Sequence, residues 1–491
     1  MSKQSSETDA AFITRAMGRT LRSLLKQFPL PGLAVGVVKG GNVLYLRGFG
    51  QGNVGRGLEV TPETRFAVAS TTKAITGTAA CILVDDGRLD LDMPVSQYVP
   101  DFKLKDPVAT QLTTMRDLLS HRTGLPSHDF MWYNTDLCRE DIFHRLRYLE
   151  PTKDFRQAFQ YNNLGYMAAG VIIERLSGLT WEEFVRIRIF DPLDMKQADF
   201  GPPPRRRNAN DAAGHRLING GFKVIPYMDV SPVGPAGSVF ASAADMCKWL
   251  TMNLNGGRYK GKPVVSKRAL AEARSPVVAL PHIPTEDEFL PSTYALGWRV
   301  SAYRGRLRLS HNGGLNGFRS HVSLLPRQRL GMVLLCNLDP EAPSTNCLPD
   351  VISHCLLDKL LGLGRVPWVR RYRQGVKAQR PEKKAAGRRT GVGRRPARPV
   401  EDYVGEYRHP AYGLLKVTTT GDRLKTEIHR VELRMRHVDG DDFIGNSATM
   451  KSVRMTFRAD KSDRVRAVAA ALVSSNPDLD IVFKRTVKSK S

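Results

Sequence analysis

Apolar positions fall into blocks of different period, and each block predicts an element. From Ala10 to Phe28 the apolar residues Phe12, Ile13, Met17, Leu21, Leu24, Leu25 and Phe28 make a helical stripe. Two short runs follow, Leu33–Val38 and Asn42–Phe49, separated by Gly40-Gly41, which signals a hairpin. The window Lys73–Val84 is filled by Ala, Ile, Thr and Gly with almost no charge, the pattern of a buried helix. Tyr166–Arg175 and Trp181–Phe190 read as further helices. Arg306–Ser310 alternates like a strand, and Leu330–Leu335 is a buried run. Strands at both ends with helices between them predict a mixed α/β layer with a helical insertion. From Glu401 to the end apolar and polar residues alternate again, with turns at Gly421-Asp422 and Asp439–Asp442, predicting a small antiparallel β domain. There is no internal repeat.

Composition adds size and charge. The chain has 491 residues, room for two or three domains or for one large and one small, and is 41% hydrophobic. Its formal net charge is +26, which raises nucleic acid or an anionic surface as partners. Much of that charge is local, because Arg365–Arg398 holds 13 Lys or Arg against the single acid Glu382. Within this stretch Trp368–Gln379 reads as a short helix and residues 380–400 as a disordered linker. Six cysteines (Cys81, Cys138, Cys247, Cys336, Cys347 and Cys355) show no paired spacing and predict free thiols in a reducing compartment. The first residues lack an apolar signal region, and no run is long enough to span a membrane, so a cytoplasmic location is expected.

Three short motifs offer chemistry. In Ser70-Thr-Thr-Lys73 the spacing puts a hydroxyl and an amine on one helix face, and a serine needs such a neighbour to take its proton. Ser23-Leu-Leu-Lys26 has the same spacing but lies on the flank of an amphipathic helix, where a solvated edge explains it. Tyr161-Asn162-Asn163 supplies a phenol able to relay a proton and an amide able to position a carbonyl. His311-Asn312-Gly313-Gly314 follows an alternating strand, and its glycines allow close approach of a substrate backbone. His121 and His128 lack the spacing of a metal site, and Asp85, Asp86, Asp90 and Asp92 read as turn carboxylates rather than calcium ligands.

In this order the three motifs resemble those of the serine β-lactamase and penicillin-binding protein superfamily, in the class C-like form with Tyr-x-Asn. Phe66–Ser70, Leu118–Pro126 and Gly237–Asp245 extend the resemblance over residues 10–364. The C-terminal part, with Tyr403–Tyr407 and Ile481–Arg485, is similar to the lipocalin-like β domain appended to such hydrolases. The resemblance implies an α/β (α+β) fold, an antiparallel sheet flanked by helices with a helical subdomain. The division is 1–364 hydrolase, 365–400 basic helix and linker, and 401–491 small β-barrel-like domain. It implies Ser70 as acylated nucleophile, Lys73 as base, Tyr161 sharing proton transfer, Asn163 positioning, and the backbone N–H groups of Ser70 and Gly314 as oxyanion hole beside Gly313. A cationic Lys73 could not accept a proton, so acylation is expected to need raised pH. No cofactor or metal is implied. His311 departs from the lysine of β-lactamases. A histidine is mostly neutral at pH 7, so a small-molecule or peptide amide or ester is expected over efficient β-lactam hydrolysis. The competing class is a catalytically vestigial binding protein using the basic linker on polyanions. Nucleic acid is not expected, because aromatic residues are not interleaved with that charge. The sequence leaves oligomeric state open.

Overall fold

The computed structural model describes residues 3–201, 210–282, 284–339, 348–378, 396–447, 452–473 and 475–486. The N-terminal stripe forms the helix Lys3–Gln27, and the two short runs form the strands Gly32–Lys39 and Asn42–Asn53. Gly40 and Gly41 turn between them at φ of 63° and 93°, a region that glycine enters without Cβ strain. These strands join seven others in an antiparallel sheet. Its order is Val278–Ala279, Thr293–Tyr294, Arg299–Tyr303, Arg306–Leu315, Phe318–Leu325, Leu330–Cys336, Gly32–Lys39, Asn42–Asn53 and Leu58–Glu59. Strand Gly32–Lys39 therefore pairs on one side with its hairpin partner and on the other with Leu330–Cys336, Val35 opposite Leu334.

A strand covered on both faces is apolar throughout rather than alternating, and Gly32–Lys39 shows why. Leu33, Val35 and Val37 enter a core with Met17, Leu21 and Leu24 of the N-terminal helix and with Ile352 and Leu356 of the helix Leu348–Leu360. On the opposite face a Cβ on Gly36 would lie 2.4 Å from Cys247 Sγ in the helix Ala243–Leu254, so only glycine fits that crossing. Each aliphatic side chain fully buried in such a core contributes about 1.5–3 kcal/mol. Helix Trp368–Ala378 joins the same core through Trp368. It therefore packs on the sheet's helical layer, whereas residues 379–395, most of the expected linker, lie outside the described residues.

The chain divides into two compact units. One comprises Met1–Tyr98, Thr114–Ser120 and Tyr166–Arg380 and contains the sheet. The other comprises Val99–Thr113, His121–Gly165 and Pro381–Ser491. In the second, eight antiparallel strands from Gly405–His409 to Ile481–Arg485 close into a barrel, Tyr407 of the first opposite Arg485 of the last. Alternation runs as the sequence predicts: Val431, Leu433 and Met435 are buried, and the intervening Glu432, Arg434 and Arg436 are exposed. The turns fall at Gly421 and Gly440, both at positive φ.

This barrel holds the segment His121–Gly165 of its own unit by side-chain bonds. Ser127 Oγ lies 2.8 Å from Ser475 Oγ, and Arg430 Nε donates to Asp136. His128 Nδ1 is 2.7 Å from Tyr412 Oη, and its Nε2 is 3.2 Å from the Glu150 carbonyl. A carbonyl only accepts, so Nε2 carries the proton and Tyr412 donates to Nδ1. Burial drops the His128 pKa to about 4, which keeps this ring neutral.

Candidate active site

Strand Arg65–Ala67 pairs with Val239–Ser242 and delivers the chain into the turn before Ser70. Ala69 has φ of 55°, a left-handed conformation that costs a non-glycine residue about 1–2 kcal/mol. Surrounding bonds hold it: Val68 N donates to Val239 O at 2.9 Å, and Ser320 Oγ donates to Val68 O at 2.7 Å. The sharp turn leaves Ser70 partly exposed ahead of the helix Thr72–Asp85. Lys73, one turn on, is 0% exposed. Its Nζ donates to Ser70 Oγ at 3.3 Å and to the Ala236 carbonyl at 2.9 Å, and lies 5.3 Å from the centre of the Tyr166 ring. A buried amine needs partners for its N–H groups, and these three contacts supply them. Ser23 and Lys26, by contrast, are exposed on the N-terminal helix.

Strand Arg306–Leu315 brings the third motif to the same turn. A Cβ on Gly313 would fall 2.1 Å from Val68 O and 2.9 Å from Ser70 N, so this strand can reach the Ser70 backbone only with glycine there. Gly314, next along, is exposed. His311 is buried, and its Nδ1 lies 2.7 Å from the Asn312 carbonyl, so Nδ1 is the protonated nitrogen. Nε2 then accepts from Tyr294 Oη at 2.8 Å. Burial, with the charge of Lys73 second, lowers the His311 pKa to about 3. The ring is thus a neutral acceptor at pH 7. Tyr294 is a member of this site that sequence reading missed, since it sits in a two-residue strand with no motif of its own. Asn312 turns the other way, donating to Asp350 Oδ2 at 2.5 Å.

The Tyr-Asn-Asn motif belongs to the second unit. Tyr161 lies against the His121 ring with centroids 4.5 Å apart, and Phe159 packs edge-on to the same imidazole. Asn162 holds the local backbone. Its Oδ1 accepts from Gly165 N at 2.8 Å at the start of helix Leu164–Ser177, and its Nδ2 donates to Leu125 O at 3.0 Å. Capping by Asn162 leaves Asn163 to point elsewhere. Its Nδ2 donates to Asp129 Oδ1 at 3.3 Å, an oxygen that also accepts from Trp132 Nε1 at 2.9 Å. A carboxylate only accepts, so this contact fixes which end of the Asn163 amide faces Asp129. Asp129 is the second residue sequence reading missed. His121 and His128 act as loop supports. Of the turn carboxylates, Asp86 pairs with Arg188, Asp92 with Arg116, and Asp85 accepts from Ser266 N. Asp101, Glu140 and His144 do bring ligand atoms within 4.8 Å of one another, on the surface and away from all three motifs in sequence.

A family model described as Beta-lactamase matches residues 18–352. The chain belongs to the beta-lactamase family. Residues 390–487 match a second family, described as a domain of unknown function (DUF3471), which covers the barrel strands. Among curated relatives, an unguisins hydrolase of Aspergillus campestris is 29% identical over 425 residues, covering 82% of this chain and 77% of that protein. Protein flp of Staphylococcus aureus is 27% identical, covering 67% of this chain and 63% of its own length. The octameric penicillin-binding protein homologue from Pyrococcus abyssi superposes with a TM-score of 0.63, covering 96% of this chain and 99% of that one at 22% identity, which shows a shared fold. This beta-lactamase family member thus has hydrolases among its relatives, and a closed barrel follows the matched residues in sequence.

Proposed function

We propose that the protein is a serine hydrolase that cleaves an amide, peptide or ester bond through an acyl-enzyme on Ser70. The observation that carries this reading is the buried Lys73 side-chain nitrogen 3.3 Å from Ser70 Oγ, beside a strained turn that leaves the hydroxyl partly exposed. In the reaction Ser70 Oγ bonds to the substrate carbonyl carbon and gives its proton to Lys73 in its neutral amine form, directly or through the Tyr161 phenol as a relay. The carbonyl π electrons move onto oxygen and face the N–H groups of Ser70 and Gly314. One such donor contributes about 3 kcal/mol in other acyl-transfer enzymes. Collapse expels the amine or alcohol, which takes the proton back. Water then repeats the sequence to release the acid and restore Ser70. Asn163, oriented by Asp129, positions the substrate carbonyl or the proton-transfer groups.

The neutral His311–Tyr294 pair gives this site no fixed cation in its third motif, whereas a lysine there attracts a substrate carboxylate. Uncharged or weakly charged esters and peptide amides are therefore the preferred substrates, with nitrocefin turned over slowly. A panel of p-nitrophenyl esters, D-amino-acid amides and nitrocefin, run on wild type and Ser70→Ala, tests both parts. Turnover by Ser70→Ala equal to wild type removes the nucleophile assignment. Nitrocefin as the best substrate removes the preference.

A further inference from the structure

The helical layer on the sheet carries a groove that the proposed hydrolase site does not use. It lies in the sheet-containing unit between the N-terminal helix, the end of helix Leu348–Leu360 and helix Trp368–Ala378, with a volume of about 1060 Å³. Its floor is apolar, with Leu24, Leu363, Val366 and the buried Trp368. Its rim is cationic: Arg19, Lys359, Arg365, Arg370 and Lys377 are exposed, and none has an acidic partner among the described residues. A sixth cation, Arg373, donates to the Gln27 carbonyl. The one acid among the described lining residues, Asp358, is already committed to Tyr303 Oη at 2.6 Å, Arg304 at 2.8 Å and Trp368 Nε1 at 2.7 Å. Among the described residues nothing else neutralises the rim.

Like charges gathered on one rim repel, and an anion relieves that repulsion. The chain's own following segment does not supply one, because residues 379–395 carry seven Lys or Arg and one acid. The apolar floor selects among anions. A cationic rim over an apolar floor, with a Trp-bearing amphipathic helix as one wall, fits an anionic headgroup with an apolar body. Duplex nucleic acid has charge but nothing to place on that floor, and Trp368 is buried rather than presented for stacking.

We propose that this groove docks the protein on an anionic lipid surface. The test is co-sedimentation of the full-length protein with vesicles of phosphatidylcholine alone or with about one third phosphatidylglycerol, at low and physiological salt. Wild type is expected to bind only the anionic vesicles, more weakly as salt rises. Each cation near such a surface contributes roughly fivefold in partitioning, so Arg365→Glu/Arg370→Glu should lose at least about 25-fold. Lys267→Glu/Arg268→Glu makes the same charge change at two exposed residues that do not line the groove and should lose markedly less. Equal losses in the two double variants would mean diffuse charge and overturn the proposal, as would no vesicle binding by wild type. Tighter, groove-dependent binding of a DNA duplex, or full displacement from vesicles by millimolar pyrophosphate, would replace the lipid and overturn it too. Neither arginine belongs to the hydrolase site, so ester hydrolysis and thermal midpoint report folding. If the glutamate pair unfolds, Lys359→Gln/Lys377→Gln gives the same reading with a smaller change.

Discussion

Lys73 and His311 set the electrostatics of the site between them. Lys73 sits on Ser70, the Ala236 carbonyl and the Tyr166 ring, and burial keeps His311 neutral, with the charge of a protonated Lys73 adding to it. Lys73→Ala should lower kcat/KM on an ester by on the order of 10³-fold or more, since removing one member of a nucleophile–base unit disables the unit; initial-rate assays on the purified variant check this. His311 makes a separate prediction about stability. In the unfolded chain an imidazole titrates near 6.5, and in the folded protein at about 3. Between those values the unfolded state binds more protons, so stability falls as pH drops below 6.5. Down to pH 5 this one group removes about 2 kcal/mol. Denaturant titrations across pH 7 to 5 should show that loss, and His311→Gln should flatten it by a similar amount. An unchanged acid slope in the variant would contradict a buried neutral ring.

Elements, rather than single residues, bring the motifs into position, and here the sequence was legible in part. The stripe Phe12–Phe28, the Gly40-Gly41 turn and the apolar windows at 73–84 and 330–335 each appear as the element their period predicts. The Ser-x-x-Lys pair stood out for the same reason, because a lysine opening an apolar helix has to be buried or snorkel, and it is buried. Tyr294 and Asp129 were not legible. Each meets its motif residue, His311 or Asn163, through a hydrogen bond between positions 17 or 34 residues apart, and such a bond leaves no period or spacing in the sequence. The strand carrying Gly313 makes the next prediction. Gly313→Ala puts a methyl within 2.1 Å of Val68 O, so it should abolish Ser70 labelling and lower the thermal midpoint together. The barrel makes another. Tyr412→Phe removes the donor to His128, leaves a buried ring nitrogen without its partner and costs about 1–3 kcal/mol. Because Asp129 follows His128 and orients Asn163, kcat should fall more than KM changes, read from full kinetic curves. A variant with lowered stability and wild-type kcat would confine the barrel to a scaffold role.

In the whole molecule, charge and chemistry are separated. The three motifs carry a neutral third-motif histidine and a buried lysine, whereas the groove formed with helix Trp368–Ala378 gathers exposed arginines and lysines. Part of the formal charge of +26 therefore lies in that groove, where it bears on the proposed lipid docking rather than on the substrate. Length and periodicity foretold a large α/β part and a small β part, and the closed eight-stranded barrel and nine-stranded sheet fulfil that expectation. Sheet order was beyond reach, because strand Gly32–Lys39 pairs with Leu330–Cys336 across most of the family domain. The central claim is an acyl-enzyme on Ser70, and its most direct test is covalent. Wild-type protein and Ser70→Ala are treated with a fluorophosphonate, and the adduct is located by mass spectrometry of the digested chain. A single adduct on Ser70, absent from the variant and suppressed in Lys73→Ala, is the predicted result; no adduct, or equal labelling of wild type and Ser70→Ala, contradicts it.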